Sequence, residues 1–268
     1  MQGASFPKGI ALLFDWLEMG GRVWYLPIMK IDLQCLPLPP DPSSVSQRTV
    51  VVIDVLRATS VIVQALSQGA LEVIPVATVE EAFHLFKQFP AGTTLLGGER
   101  KSRKIEGFDL GNSPREYVRE KVEGKRLVLT TTNGTKAFHS VSSGAEILTA
   151  SFFNVSAAVA RCLDLGNDLL LFPSGDEGRF SLEDMVCAGM LIDGLSGEKR
   201  RALTLTDASM SALLLFQRFQ FNLVEAFALS THGKELIERG FEEDLDYCAQ
   251  VDLTDIVPIF RNGVIKAQ

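Results

Sequence analysis

The stretch Val50-Val-Val-Ile-Asp-Val-Leu-Arg-Ala-Thr-Ser60 places four β-branched apolar residues directly before an acid, Asp54. Such an uninterrupted apolar run is typical of a strand that is buried on both faces of a parallel sheet. Arg57 follows the acid three positions later, just before a helical pattern that begins at Thr59. The stretch therefore predicts a central strand, Val50–Asp54, that ends in charged side chains.

The same alternation of short apolar runs and helical patterns continues to Leu195. The predicted strands are Val50–Asp54, Glu72–Ala77, Thr94–Gly98, Arg126–Thr131, Glu146–Ala150 and Asp168–Phe172. The predicted helices are Thr59–Gln68, Val79–Phe89, Pro114–Val122, Thr135–Ser142, Val155–Leu165 and Leu182–Leu195. This order predicts a three-layer α/β fold, with a mostly parallel sheet and helices on both faces.

Capping residues mark three of these helix starts. Thr78, Ser113 and Ser181 each stand three positions before an acid, which is the spacing of a capping box. Pro114 adds the proline that is favoured at the first helical position.

Both ends of the chain depart from the alternating pattern. Residues 1–28 are interpreted as an N-terminal extension before a domain of residues 29–268, and Leu36–Gln47 reads as a loop. After Gly197 come three predicted helices and two strands joined by a turn, and we expect this tail to complete or cover the sheet. Its elements are Asp207–Phe219, Leu223–Leu229, His232–Arg239, Ile256–Phe260, the turn Asn262-Gly263, and Val264–Lys266.

Two segments recur in the middle of the chain. Gly69-Ala-Leu-Glu-Val-Ile74 resembles Gly144-Ala-Glu-Ile-Leu148, and Gly92-Thr-Thr-Leu-Leu96 resembles Gly166-Asn-Asp-Leu-Leu170. A duplication would give half-repeats at residues 45–123 and 124–195, followed by a tail at 196–268. The alternative is chance similarity between α/β units.

The composition excludes several classes of function. The chain has 26 basic and 33 acidic side chains, a net charge of −7, which disfavours nucleic acid as a partner. The three histidines lack the spacing of a zinc site, and no run reaches the ~18 apolar residues of a membrane span. Four cysteines without a CxxC motif indicate reduced thiols and a cytoplasmic location.

Polar residues follow almost every predicted strand. They are Asp54 and Arg57; Gly97 to Arg100; Thr130 to Gly134; Ser151 and Asn154; and Ser174 to Arg179. Because ligands bind beyond the carboxyl ends of parallel strands, we expect these groups to meet at one edge of the sheet. Four cations among the five residues from Arg100 to Lys104 make that edge suitable for a small anion.

Acids among anion-binding groups require an explanation, and Mg²⁺ that bridges carboxylate and phosphate supplies one. Each acid also has a simpler interpretation. Asp54 and Asp184 are placed to cap the helices that follow them, and Glu99 and Asp109 are placed to pair with neighbouring cations.

The spacing excludes four common phosphate-handling motifs. A haloacid dehalogenase needs a second Asp two positions after the first, where this chain has Leu56. The cysteine-phosphatase motif C-x5-R, the Arg-His-Gly start of histidine phosphatases and the P-loop are not in the sequence either.

The motifs from residue 29 onward resemble the Mg²⁺-dependent 2-phosphosulfolactate phosphatases. The matching stretches are VIDVLRATS (52–60), GGERK (97–101), IEGFDLGNSP (105–114), TTTNGT (130–135), GRFSLED (178–184) and CAG (187–189). The tail STHGKEL (230–236), with residues 244–252, also resembles the C-terminal part of the family. The resemblance implies hydrolysis of 2-phosphosulfolactate to 3-sulfolactate and phosphate, a step of coenzyme M biosynthesis. Phe172-Pro-Ser-Gly175 departs from the family pattern, which bears on substrate preference.

We therefore predict a phosphatase site for a small anionic phosphate ester, with Mg²⁺ as its cofactor. Mg²⁺ is assigned to a subset of Asp54, Glu99, Asp109 and Asp184, and Asp54 is left open as nucleophile, base or metal ligand. Asp54, Arg57, Arg100 and Arg179 are the predicted catalytic residues, and the three arginines are expected to neutralise the charge that develops on the phosphoryl group. The predicted substrate-binding residues are Thr59, Gly98, Asn112, Ser113, Thr131, Thr132, Asn133, Gly134, Ser151, Asn154, Ser174, Gly175 and Gly178.

Three alternatives remain open at this point. The site is also suited to another 2-phospho-hydroxy acid, such as 2-phosphoglycolate or phospholactate, or to a sensor that binds a small anion without catalysis. The apolar tail helices around Leu213 to Phe221 belong either to the core, which we favour, or to the contact surface of a homodimer.

Overall fold

The computed structural model describes residues 28–198 and 202–268, and within them eleven strands form one sheet. The strands are β1 Ile28–Leu33, β2 Thr49–Ile53, β3 Glu72–Pro75, β4 Thr94–Arg100, β5 Arg103–Lys104, β6 Arg126–Thr130, β7 Glu146–Ala150, β8 Leu169–Pro173, β9 Ala202–Leu205, β10 Ile259–Arg261 and β11 Val264–Lys266. Their order is β5-β4-β6-β3-β11-β10-β7-β2-β8-β1-β9. Most neighbours are parallel, as predicted.

Helices cover both faces of this sheet, so the prediction of a three-layer α/β fold is confirmed. They are α1 Pro42–Val45, α2 Ala58–Ser67, α3 Val79–Phe86, α4 Arg119–Val122, α5 Gly134–Ser140, α6 Val155–Leu165, α7 Leu182–Gly197, α8 Asp207–Phe219, α9 Leu223–Leu229, α10 Thr231–Glu238 and α11 Glu242–Cys248. Among the described residues, no helix is both long and apolar enough to cross a membrane.

Strand β2 is the central strand that the opening stretch predicts. It pairs in parallel with β7 on one side and β8 on the other, and all five of its residues are buried. Val51 and Ile53 pack into the core beneath α6 and α7, whereas Val50 and Val52 pack into the core beneath α2 and α5. Both faces are apolar because both are covered by helices.

The C-terminal hairpin lies in the middle of the sheet, a position that the sequence pattern does not predict. Strand β10 pairs antiparallel with β7, and β11 pairs antiparallel with β3. Asn262 and Gly263 both have positive φ, as the predicted two-residue turn requires. Three successive antiparallel pairings make the group β4-β6-β3 run opposite to the group β7-β2-β8.

This reversal corrects the expectation that all strand ends share one edge of a parallel sheet. Neighbouring strands are rotated by about 20–25°, and this twist accumulates over the five steps from β6 to β2. The rotation turns the carboxyl ends of the two groups back towards each other. The segments that follow β2 and β6 meet, because Asp54, directly after β2, is in contact with Gly134 at the start of α5.

The order of the strands bears on the proposed duplication. The groups β4-β6-β3 and β8-β2-β7 occupy mirrored positions on either side of the hairpin. A two-fold relation between the two half-repeats would produce this order. The duplication itself stays a prediction.

The predicted helix Pro114–Val122 is wrong. The chain forms a short 3-10 turn at Pro114–Glu116 and a separate helix, α4. Ser113 and Glu116 do not cap a helix, since the Ser113 hydroxyl donates to Asp244 and the Glu116 carboxylate accepts the Gly111 N–H. The caps at Thr78 and Ser181 are confirmed, because each side chain accepts the N–H three residues later.

Five further elements are missing from the sequence-based prediction. They are β1, β5, β9, α11 and the single turn α1 inside the predicted loop Leu36–Gln47. Ile28 belongs to β1 and therefore to the fold, whereas the remainder of the predicted extension lies outside the described residues.

Candidate active site

A polar pocket lies where the loops after β2, β4, β6 and β8 meet the start of α10. Its lining residues are Asp54, Leu56, Arg57, Glu99, Lys101, Ser102, Asn112, Thr131, Thr132, Asn133, Asp176, Glu177, His232 and Glu235. A hydrogen bond joins the loops from the two groups of strands, since the Glu177 N–H donates to Asn133 Oδ1 at 3.1 Å. We call this site the polar pocket.

Asp54 both caps a helix and lines the pocket, so both interpretations of this acid in the sequence analysis apply. Its Oδ1 accepts the Ala58 N–H at 3.0 Å, so one oxygen caps the start of α2. No N–H of the described residues donates to its Oδ2, and the carboxylate as a whole lines the polar pocket. One oxygen is therefore structural, and the other is available to a ligand.

Gly134 sets how closely α5 approaches this carboxylate. A Cβ at this position would lie 2.5 Å from Asp54 Oδ2 and would also collide with Ala58. Only a residue without a side chain lets the starts of α2 and α5 meet here. Gly134 is thus explained by close packing against the acid.

The Glu99 carboxylate accepts hydrogen bonds from two loops, the one after β6 and the one after β4. Its Oε1 accepts the Thr132 N–H and its Oε2 accepts the Ser102 N–H, both at 2.8 Å. The carboxylate is 7% exposed and shares the lining with Asp54. Each carboxylate oxygen has a second lone pair, so both retain the capacity to bind a cation.

Two further acids, Glu183 and Asp184, are buried behind Asp54 at the start of α7. Burial raises the pKa of Asp184 well above its usual range, and the charges of Asp54 and Glu183 add to that rise. The Val55 N–H donates to Asp184 Oδ1 at 2.8 Å, so this acid anchors the residue after Asp54. Asp184 supports the site from behind and does not line the polar pocket.

The pKa of Asp54 is also raised, chiefly by burial. The Ala58 N–H, the Ser174 hydroxyl and the His232 ring oppose that rise, whereas the charge of Glu99 adds to it. The charge of Glu99 thus disfavours the ionised form of Asp54 in the same pocket. A bound cation would relieve that repulsion.

Arg57 is held in place by the C-terminal tail. It is 2% exposed, and its Nη1 contacts Asp244 Oδ2 on α11 at 2.6 Å. Its guanidinium lies 4.3 Å from the centre of the Phe241 ring, and Asp244 also accepts the Ser113 hydroxyl. The arginine is therefore fixed at the pocket by a charge partner that the sequence analysis does not identify.

Removing that partner tests this arrangement. We expect Asp244→Ala to lower the free energy of unfolding by about 3–5 kcal/mol, because it leaves the buried Arg57 charge without compensation. The neighbouring Glu243, whose side chain is 75% exposed in its pair with Arg115, is the control. Glu243→Ala should cost less than about 1 kcal/mol in the same urea titration. Equal losses in the two variants would contradict the assigned role of Asp244.

Three buried polar atoms of the lining lack a hydrogen-bond partner among the described residues. They are Arg57 Nε, Asn112 Oδ1 and His232 Nδ1. Buried polar atoms are rarely left unpaired in proteins, so each indicates a position where a ligand or water binds. Two are predicted site residues, and His232 is new.

A second cavity adjoins the polar pocket and shares Thr132, Asn133 and Glu177 with it. Its volume is about 300 Å³. The remaining lining residues are Pro37, Lys136, Ala137, Ser140, Ser174 and Gly178. We call it the adjoining cavity.

Arg100, Arg179 and Asp109 do not line the polar pocket. Arg100 donates to the Glu99 carbonyl and to Thr130 Oγ1, and Arg179 is largely exposed beside Asp176. Asp109 is exposed, and its Oδ2 accepts the Leu96 N–H. Local hydrogen bonds and ion pairs direct these three side chains elsewhere, so the structure gives no support for their predicted roles.

The predicted substrate-binding residues fall into two groups. Those that line one of the two spaces are Asn112, Thr131, Thr132, Asn133, Ser174 and Gly178. Those that line neither space are Thr59, Gly98, Ser113, Gly134, Ser151, Asn154 and Gly175.

Internal contacts account for the second group. The Thr59 hydroxyl bonds the Asp54 backbone, and Ser151 and Asn154 form a capping box that also holds the Ile256 carbonyl. Gly98 and Gly175 have positive φ, and a side chain at either position would collide with a neighbouring carbonyl oxygen.

The pocket also contains lining residues that were not predicted as site residues. They are Leu56, Lys101, Ser102, Asp176, Glu177, His232 and Glu235. Asp176 and Glu177 follow β8, so the rule that placed Asp54 was also applicable to them. The rule for strand ends does not apply to His232 and Glu235, because they reach the pocket from α10; their one signal in the sequence is that they lie in the tail stretch 230–236, which resembles the family.

The charges of the pocket suit a cation together with an anion. Five carboxylates, Asp54, Glu99, Asp176, Glu177 and Glu235, face two permanent cations, Arg57 and Lys101. Within the described residues, no three acidic, histidine or cysteine side chains form a ready ligand set. A hard divalent cation such as Mg²⁺ does not need three protein ligands, because it can bind one or two carboxylates together with water and a phosphate. Asp54 and Glu99 are therefore sufficient as its protein ligands.

Comparison with known proteins identifies relatives across most of the chain. The sequence model of the family described as 2-phosphosulpholactate phosphatase matches residues 38–263. A protein of Thermotoga petrophila is 48% identical over 83% of this chain and 93% of its own length. A protein of Caldanaerobacter subterraneus is 46% identical over 82% and 90%, and one of Clostridium acetobutylicum is 39% identical over 88% and 100%. All three are named probable 2-phosphosulfolactate phosphatases.

Proposed function

The chain belongs to the 2-phosphosulpholactate phosphatase family, a family of phosphoric monoester hydrolases, and we propose that it hydrolyses 2-phosphosulfolactate to 3-sulfolactate and phosphate with Mg²⁺ as cofactor. The observation that carries the proposal is the convergence of Asp54, Glu99 and Arg57 on one pocket. Water supplies the oxygen that bonds to phosphorus, and the ester P–O bond breaks.

Asp54 and Glu99 hold the metal in this proposal. No N–H of the described residues donates to Asp54 Oδ2, and both Glu99 oxygens keep a lone pair while the loop amides fix the carboxylate. When bound, Mg²⁺ supplies positive charge that offsets the charge of the phosphate and of the transition state. Burial raises the pKa of Asp54, and a bound cation would favour the ionised carboxylate again.

Arg57, a cation in the pocket lining, binds the phosphate in this proposal. Its Nη1 is occupied by Asp244, and its Nε is buried without a partner among the described residues. A phosphate oxygen in the polar pocket satisfies that N–H. Since Asp244 fixes the guanidinium before substrate binds, little side-chain entropy is lost on binding.

The adjoining cavity takes the sulfonate end of the substrate. It shares Asn133 and Thr132 with the polar pocket and carries Lys136 as its cation. A substrate with phosphate at one end and sulfonate at the other can therefore span both spaces. Ser174, from the stretch that departs from the family pattern, also lines this cavity, which favours another 2-phospho-hydroxy acid as the second candidate substrate.

Phosphate release from a panel of esters tests the proposal. The panel consists of 2-phosphosulfolactate, 2-phospholactate and 2-phosphoglycolate, each measured with Mg²⁺. We expect the highest kcat/KM for 2-phosphosulfolactate, because only this ester fills both spaces with anionic groups. A preference for an ester without sulfonate would favour the second candidate. Binding of all three without phosphate release would identify a sensor and contradict the proposal.

A further inference from the structure

His232 reaches the polar pocket from the C-terminal tail, and the metal and phosphate assignments above do not involve it. It lies in the first turn of α10 and lines the pocket together with Asp54 and Glu99. Its side chain is 18% exposed, and Nδ1 lies 3.9 Å from Asp176 Oδ1, beyond hydrogen-bond distance. The ring is thus mostly enclosed, with one buried nitrogen unpaired among the described residues.

The backbone around His232 is fixed by close packing. The Ser230 hydroxyl accepts the Gly233 N–H at 2.9 Å and caps the helix. A side chain at Gly233 would collide with the Phe227 carbonyl, so α10 starts in close contact with the end of α9. The imidazole is therefore presented from a rigid helix start and not from a loop.

The proposed reaction requires a proton donor. When the P–O bond breaks, the bonding electron pair goes to the oxygen of a secondary alcohol, and that alkoxide is a poor leaving group unless it is protonated. Arg57 is a guanidinium that does not release its proton, and Lys101 is exposed. Histidine is the side chain that most often serves as a general acid, and His232 is the one histidine among the described lining residues.

We propose that His232 is a catalytic residue that protonates the leaving alkoxide oxygen, an inference that rests on the proposed phosphatase function. The imidazolium transfers its proton to the ester oxygen as the P–O bond breaks. One proton of the attacking water later returns the ring to its protonated form, and the other remains with the phosphate. Protons and electron pairs therefore balance over one turnover.

Esters with different leaving groups test this role. We expect His232→Asn to lower kcat for 2-phosphosulfolactate by about 10²–10³-fold, the usual contribution of a general acid. The same variant should keep its kcat for p-nitrophenyl phosphate within about threefold, because p-nitrophenolate leaves without protonation. His84→Asn, at an exposed position on α3, is the control and should change neither value.

Equal losses on both esters would overturn the proposal, since they would show a role in folding or binding, and so would an unchanged kcat for 2-phosphosulfolactate. If the wild type does not turn over the aryl ester, imidazole in solution must restore activity of His232→Ala on 2-phosphosulfolactate, and lack of rescue would overturn the proposal. Failure of the proposed function itself is distinguishable, because the wild type would then release no phosphate from 2-phosphosulfolactate.

Discussion

Replacement of Asp54 by Asn is expected to lower kcat for 2-phosphosulfolactate by at least about 10²-fold. The amide has the shape of the carboxylate, and its oxygen can still accept the Ala58 N–H that holds α2. The group at the Oδ2 position becomes an amide donor, which repels a cation. Because burial disfavours the charged form of Asp54, the neutral variant should unfold at the same temperature as the wild type or a higher one.

Asp109→Asn is the matched control for this substitution. Asp109 is an acid of the same size that the sequence predicted as a metal ligand, and the structure places it on the surface with its Oδ2 bonded to the Leu96 N–H. Its kcat should stay within about twofold of the wild type. An Asp54→Asn variant with wild-type turnover and an intact fold would remove Asp54 from the mechanism.

Removal of divalent metal is expected to have an effect of similar or greater size. Dialysis against EDTA should lower kcat by about 10³-fold, since a metal contributes several kcal/mol to transition-state stabilisation and 1.4 kcal/mol corresponds to a factor of ten. Added Mg²⁺ should restore the activity, and Glu99→Gln should raise the Mg²⁺ concentration needed for half-maximal activity by more than about tenfold.

Asp109→Asn again provides the comparison, because it should leave that Mg²⁺ concentration unchanged. The Glu99 substitution also requires a check of the fold, as Glu99 binds two loop amides. Full activity in EDTA, with no metal detected in the protein by elemental analysis, would contradict the assignment of a metal to this pocket.

Much of the fold could be predicted from short runs of apolar residues, because such runs indicate which segments are buried. The apolar run of β2 is buried on both faces, and Asp54 lies where the strand leaves the core, as the sequence indicates. The C-terminal hairpin was predicted, but its place in the middle of the sheet was not, because the pairing of β10 with β7 joins segments more than a hundred residues apart. Neither segment carries a local sign of its partner.

The candidate site was predictable to a similar extent and for the same reason. Thr132 and Asn133 follow β6, Glu99 lies at the end of β4, and all three line the pocket, as expected from the rule for strand ends. Arg57 was predicted, but its partner Asp244 lies 187 residues away, and only the folded chain brings the two together.

Side-chain direction was the second limit of the sequence analysis. Arg100 is the last residue of β4 and therefore stands at a suitable position, but hydrogen bonds to Thr130 and to the Ala77 carbonyl turn its side chain away from the pocket. Similarly, Ser113 stands three residues before an acid, and the buried Asp244 draws its hydroxyl away from the cap. Spacing along the chain gives the position of a residue, whereas competing partners decide where its side chain points.

Anomalous scattering from crystals grown with Mn²⁺ in place of Mg²⁺ and with phosphate locates the metal directly. We expect one strong peak in the polar pocket, within bonding distance of Asp54 Oδ2 and a Glu99 oxygen, with phosphate between the metal and Arg57. A metal bound elsewhere in the chain, or a phosphate that contacts neither the metal nor Arg57, would contradict it.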